Sequence, residues 1–241
     1  MGILLRNVLI CGLVGTMSSW AGVVTSAMAA AFLPGGPLQI CDTGTVNHGS
    51  AECTMAAGQA ISVTASATAG HGAVSAFIEG GAYQYAGGAS ATAIAMFSDS
   101  LTFWGGTGAG VVTITESVMN FGTGSLQMGA ADPHARKVQI TQAFSYGTPF
   151  TLTLLAVSSS SFIGSYGDGG SLLVSRVVES LRTSGVGISY TSKGGYAYNT
   201  VGSLAFIATP EPGTWVMGLL GIGLVVLAKI RWARPDDGKK K

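Results

Sequence analysis

The chain has 241 residues, 47% hydrophobic and only 10% charged, with a formal net charge of +1. Between residues 30 and 209 eight Asp/Glu stand against five Lys/Arg, a net of −3, so the positive balance comes from the two ends. No basic patch exists there, which excludes nucleic acid as a partner. About 180 residues suffice for one substantial core, and no linker divides them.

At the N-terminal end Arg6 is the only early charge, and Val8 to Val14 is an apolar run. Ala27-Met28-Ala29 offers an A-x-A site of the kind a signal peptidase cuts. A signal peptide over residues 1–29 is therefore expected, with cleavage after Ala29 or, as an alternative, after Ala31. The rival reading is an uncleaved membrane helix, but Ser18, Ser19, Thr25 and Ser26 interrupt the apolar stretch. Either reading exports the middle of the chain. Cys11 falls in the expected signal peptide, leaving Cys41 and Cys53. An even pair in an oxidising compartment predicts one disulfide, adding about 2–3 kcal/mol through loop closure. His48 lies between them but has no partner at zinc-ligand spacing. No metal or cofactor is expected.

Residues 30–208 read as an exported, β-rich domain. Ala60 to Ala67 alternates small polar with apolar residues. Ala89 to Phe103 places Ala93, Ala95 and Phe97 on one phase, then Leu101 and Phe103 after an expected break at Ser98-Asp99-Ser100. Val111 to Val118 alternates again, and Val138, Ile140 and Phe144 precede a turn at Gly147-Thr148-Pro149. Phe150, Leu152 and Leu154 then share one face. Leu172 to Val178 and Val186 to Tyr190 complete the set. Period-2 alternation between Gly/Ser/Pro turns predicts an all-β fold, an antiparallel β-sandwich or barrel. Leu173, Val174, Val177, Val178 and Leu181 also fit a helical period, but their valines and flanking glycines favour strand. Gly80-Gly81-Ala82 and Gly87-Gly88-Ala89 read as loops. Strand faces rich in Ser and Thr are weakly hydrated; they suit neutral polymers and invite edge association.

No G-x-S-x-G, H-E-x-x-H or P-loop occurs, and His48, His71 and His134 are scattered. Asp99, Glu116 and Glu179 are the carboxylates from which a glycosidase pair would have to be drawn. Isolated strand-end acids are the plainer reading, and the chain is expected not to be an enzyme. Gly167-Asp168-Gly169-Gly170 resembles a calcium-loop fragment, but one carboxylate is too few, so a turn is expected. Tyr83, Tyr85 and Trp104 are candidates for stacking on sugar rings, Trp104 being followed by Gly105-Gly106.

The last segment, 209–241, is different in kind. Pro210-Glu211-Pro212-Gly213 stops regular structure. Fifteen uncharged residues follow, Thr214 to Ala228. As a helix they span roughly 22 Å, short of the ~30 Å hydrocarbon core. Snorkelling by Lys229 and Arg231 lengthens the expected transmembrane helix to residues 214–230. Trp215 and Trp232 stand near its ends, and six Lys/Arg in the tail place the C-terminus in the cytoplasm.

Pro210-Glu211-Pro212, then Gly213-Thr214-Trp215, an apolar run with Leu219, Leu220, Gly221, Gly223 and Leu224, and basic residues together resemble a PEP-CTERM sorting signal. The resemblance covers about thirty residues. Two details depart from the pattern: the tail is long and includes Pro235-Asp236-Asp237, and Thr209 stands where Val is commoner. The resemblance implies a Gram-negative bacterium, an inner-membrane precursor, processing by an exosortase near the Pro-Glu-Pro, and delivery to the cell surface or matrix. It further implies a link to exopolysaccharide and biofilm. The leading expectation is a non-enzymatic surface or matrix protein. A carbohydrate-binding module, a secreted hydrolase and a permanent single-pass membrane protein remain as alternatives.

Overall fold

The computed structural model describes residues 22–32, 39–46, 49–57, 61–82, 88–123, 132–163 and 169–208. Tyr83, Tyr85, His48, the Pro210-Glu211-Pro212 motif and the expected helix 214–230 lie outside them. The chain divides between Ile207 and Ala208 into two units; the described strands all belong to the first.

The described residues form β1 (Gly22–Phe32), β2 (Gln39–Val46), β3 (Ser50–Ala57), β4 (Ile61–Gly70), β5 (Ala73–Ala82), β6 (Gly88–Trp104) and β7 (Ala109–Gly122). β8 (Asp132–Ser145), β9 (Pro149–Ile163), β10 (Gly169–Thr183), β11 (Ser189–Ser192), β12 (Thr200–Val201) and β13 (Ala205–Phe206) follow. In the first sheet the order is β13-β11-β6-β1-β2, with β11 against the end of β6 and β9 also paired to β6. In the second the order is β3-β4-β5-β10-β7-β8, with β12 against β10. All pairings are antiparallel except the short β10–β12 and β11–β13 contacts. The protein is all-β, and its two sheets pack as a sandwich.

The core between the sheets changes character along its length. Toward one end it is built of alanines: Ala27, Ala29, Ala31, Ala91, Ala93, Ala65, Ala67 and Ala76 are all at or below 3% exposure. Toward the other it is aromatic. Phe103 stacks on Phe144 with ring centroids 4.2 Å apart, and Tyr190 and Tyr198 are buried nearby. A large buried side chain removes more apolar area from water than an alanine does, at about 25 cal/mol per Å², whereas alanines let two sheets approach closely.

Period-2 patterning explains most strands, and the departures from it have local causes. The expected break at Ser98-Asp99-Ser100 does not occur: β6 runs unbroken for 17 residues. Asp99 keeps its inward phase because its carboxylate is fully hydrogen-bonded inside. Gly80, Gly81 and Ala82 belong to β5, and Gly88 and Ala89 to β6, rather than to loops. At the β5–β10 end a Cβ on Gly169 would stand 2.5 Å from the Gly80 carbonyl oxygen, so side-chain-free residues allow that backbone approach. Val186 lies in the bend before β11, 90% exposed, and only Ser189–Ser192 pair.

The helix-like spacing in β10 also has a cause. Its register shifts between Val178 and Ser180, so Leu172, Val174 and Arg176 share a face that Leu181 regains after the bulge. An extra residue in a strand reverses the alternation, and the apolar spacing then mimics a helix.

At one lateral side of the sandwich a disulfide joins Cys41 of β2 to Cys53 of β3, with a Cα–Cα distance of 5.9 Å. The Thr43 hydroxyl of β2 adds a bond to the Glu52 carbonyl at 3.0 Å. The β4–β5 hairpin turns through His71 and Gly72, both at positive φ (44° and 75°). That pair of left-handed residues is the signature of a tight type I′ turn.

Candidate functional site

Each of the three candidate carboxylates is engaged by groups of the protein itself. Asp99 sits in β6 with no exposed surface. Its Oδ1 accepts the backbone N–H of Ser100 at 2.8 Å and of Gly194 at 3.1 Å. Its Oδ2 accepts the hydroxyls of Ser192 at 2.6 Å and Tyr198 at 2.8 Å. The Ser192 oxygen in turn accepts the Tyr196 N–H at 2.9 Å. Tyr190 closes the network: its hydroxyl accepts the Tyr198 N–H at 2.7 Å and donates to the Tyr198 carbonyl at 3.1 Å. One carboxylate therefore organises residues 192–198 over the end of the core. With four donors on its two oxygens it has little acceptor capacity left for a substrate proton. Burial and the neighbouring Asp99 charge push the Tyr198 phenol up, and burial does the same to Tyr190.

Glu116 lies in β7 at 2% exposure, where Arg176 of β10 donates to its Oε2 through both Nε (3.0 Å) and Nη2. Glu179 pairs with Lys137 of β8 at 2.8 Å, largely in solvent. Asp99 stands on one sheet and Glu116 and Glu179 on the other. The Glu116 carboxylate is buried on the core face, whereas Glu179 reaches the exposed Lys137. Each of the three candidate acids therefore has its own set of partners. Among the described residues no group of three metal-ligating side chains occurs. A depression of about 250 Å³ between residues 68–70, 73–75 and Ser175 is lined by small neutral side chains.

Trp104, at the end of β6, is 44% exposed, and its indole N–H donates to the Thr191 hydroxyl at 3.3 Å. His71 packs edge-on against Tyr196 with centroids 4.7 Å apart, closing the turn under the Asp99-bound segment. Ala27 and Ala29, read as the peptidase site, are fully buried in the middle of β1. β9 is a long edge strand: among the described strands it pairs only with β6. Its 15 residues contain no charge, and Leu155 and Val157 are 37% and 42% exposed on its outer face. By contrast the other long edge, β8, carries Asp132, Pro133, Arg136 and Lys137. Charges and proline of this kind guard an edge against pairing.

The buried network around Asp99 is absent from the expectations above. Its only sequence signal is an acid on the inward phase of an otherwise apolar strand, with Tyr190, Ser192 and Tyr198 far downstream.

Comparison with known proteins bears on the C-terminal part of the sequence. A family model described as PEP-CTERM protein-sorting motif matches residues 208–234. The chain carries a PEP-CTERM sorting motif. No curated protein and no solved structure matches the chain. The PEP-CTERM motif implies export, processing by an exosortase, and sorting to the surface of a Gram-negative cell.

Proposed function

We propose that this is a non-enzymatic protein of the cell surface or extracellular matrix, associated with exopolysaccharide or biofilm. It is made as an inner-membrane precursor with a signal peptide and a C-terminal transmembrane helix. The observation that carries the reading is the PEP-CTERM motif over residues 208–234. The sandwich supports it from its own side: Asp99 and Glu116 are consumed by internal contacts. The uncharged β9 edge and the Ser/Thr-rich strand faces suit a neutral polymeric environment.

The test is replacement of Pro210-Glu211-Pro212 by alanines. The variant is expected to accumulate in the inner membrane with its basic tail attached, detected by fractionation and intact mass. Unchanged surface delivery would refute the sorting role.

A second reading, a carbohydrate-binding module, is favoured by the exposure of Trp104. Stacked aromatic rings gain roughly 0.5–1.5 kcal/mol beyond simple area, and an indole on a sugar face is expected to act on the same scale. Trp104→Ala is expected to weaken binding to the producer's polysaccharide about tenfold, measured by affinity electrophoresis. Equal retardation of both proteins eliminates Trp104 as the platform.

A further inference from the structure

We infer that the signal peptide is cut between Ala21 and Gly22, so that the mature protein begins at the first residue of β1. The inference rests on the export reading above and changes where the exported chain starts.

The strand itself carries the argument. β1 is an interior strand of the first sheet, paired with β2 over eight residues and with β6 over all eleven, Gly22↔Ser98 to Phe32↔Gly88. Thr25, Ala27, Ala29 and Ala31 point into the core with no exposed surface. A cut after Ala29 would remove Gly22 to Ala29, eight of the eleven residues. β2 would then keep only two of its eight pairs with β1, those of Ala30 and Ala31. β6 would lose its neighbour opposite Ala91 to Ser98. The inner face would be opened where alanines leave least apolar surface to spare. Peptidase acts before folding, so burial of Ala27 and Ala29 does not protect them. What decides is that the product of that cut could not rebuild the sheet.

The sequence ahead of β1 supplies a site that leaves the strand whole. Ser19-Trp20-Ala21 has small residues at the two positions a signal peptidase reads, with the bulky Trp20 at the position it does not. The triplet follows the apolar run Val8–Val14 after four residues, Gly15 to Ser18. Ala29 stands fifteen residues beyond Val14. A cut after Ala21 gives a leader of 21 residues, inside the usual range of about 15–30.

The experiment is N-terminal sequencing and intact mass of the full-length protein after export in a Gram-negative host, with the membrane and soluble fractions kept separate. The expected mature N-terminus is Gly22. A start at Ala30 or Phe32 overturns the inference while leaving export intact. An intact Met1 in the membrane or periplasmic fraction also overturns it. An intact Met1 confined to the cytoplasm refutes the export reading itself. Pulse-labelling separates processing from folding: Ala21→Leu is expected to abolish conversion of precursor to mature form, and Ala29→Leu to leave its rate within twofold of the parent. The reverse pattern would place the cut after Ala29.

Discussion

The two sheets each bury a carboxylate, and they satisfy it by different means. Asp99 is met by two hydroxyls and two peptide N–H groups, drawn from its own strand and from residues 192–198. Glu116 is met by the guanidinium of Arg176, on the neighbouring strand of the same sheet. The first arrangement ties an irregular segment to the core; the second ties two regular strands that already share a backbone ladder. The difference teaches where a buried charge has structural consequence. Removing Asp99 takes the acceptor from four donors at once, whereas Glu116 and Arg176 can be removed together.

That contrast predicts an order of effects. Asp99→Ala should be the most damaging substitution, costing about 4 kcal/mol, since each stranded buried donor costs roughly 1–3 kcal/mol and the hydroxyls recover part by rotating. The measurement is the urea midpoint, accompanied by faster proteolysis within residues 192–198. A loss below about 1 kcal/mol would mean that the segment is held by its aromatic packing instead. Arg176→Met comes next, at about 3 kcal/mol, because it leaves Glu116 buried and unpaired. The double replacement Glu116→Met with Arg176→Met should return to within about 1 kcal/mol of the parent, since a buried ion pair exchanged for apolar residues of similar volume is often neutral. If the double variant is as unstable as the single one, the pair stabilises β7–β10 in its own right and the comparison fails.

Legibility of the fold in the sequence followed the same division between regular and irregular parts. Strands with clean alternation, such as β7 and the first half of β9, could be read from Val112 and Ile114 or from Leu152 and Leu154. β10 was readable as a strand only against a competing helical spacing, because its bulge at Glu179 shifts Leu181 back to the core. Gly80 and Gly81 were read as a loop because composition does not reveal that another backbone passes at contact distance. β1 was hidden for a different reason. Alanine, valine and small polar residues suit both an export leader and an interior strand in an alanine-lined sandwich, so Ala27 and Ala29 carried two meanings. The sorting motif was legible because proline, charge and apolar length act locally. The Asp99 network was not, because it joins residues about a hundred positions apart.

The smallest effect tests whether the Asp99 network works through its donors one by one. Tyr198→Phe deletes a single donor at 2.8 Å and keeps the ring that fills the space beside Gly72. The loss should be about 1–2 kcal/mol at neutral pH. The pH dependence gives a sharper reading. The phenol of Tyr198 is raised from its ordinary value of 10.0, because burial and the Asp99 charge oppose its ionisation. The folded state therefore holds the proton more tightly than the unfolded chain does. Its contribution is fully present below pH 10 and is lost as pH rises above 10 toward the raised folded value. The parent should lose stability steadily above pH 10, while Tyr198→Phe should lose it less steeply, keeping only the part due to Tyr190 and other groups. Parallel alkaline limbs for the two proteins would show that the Tyr198 hydroxyl is not what couples Asp99 to the fold.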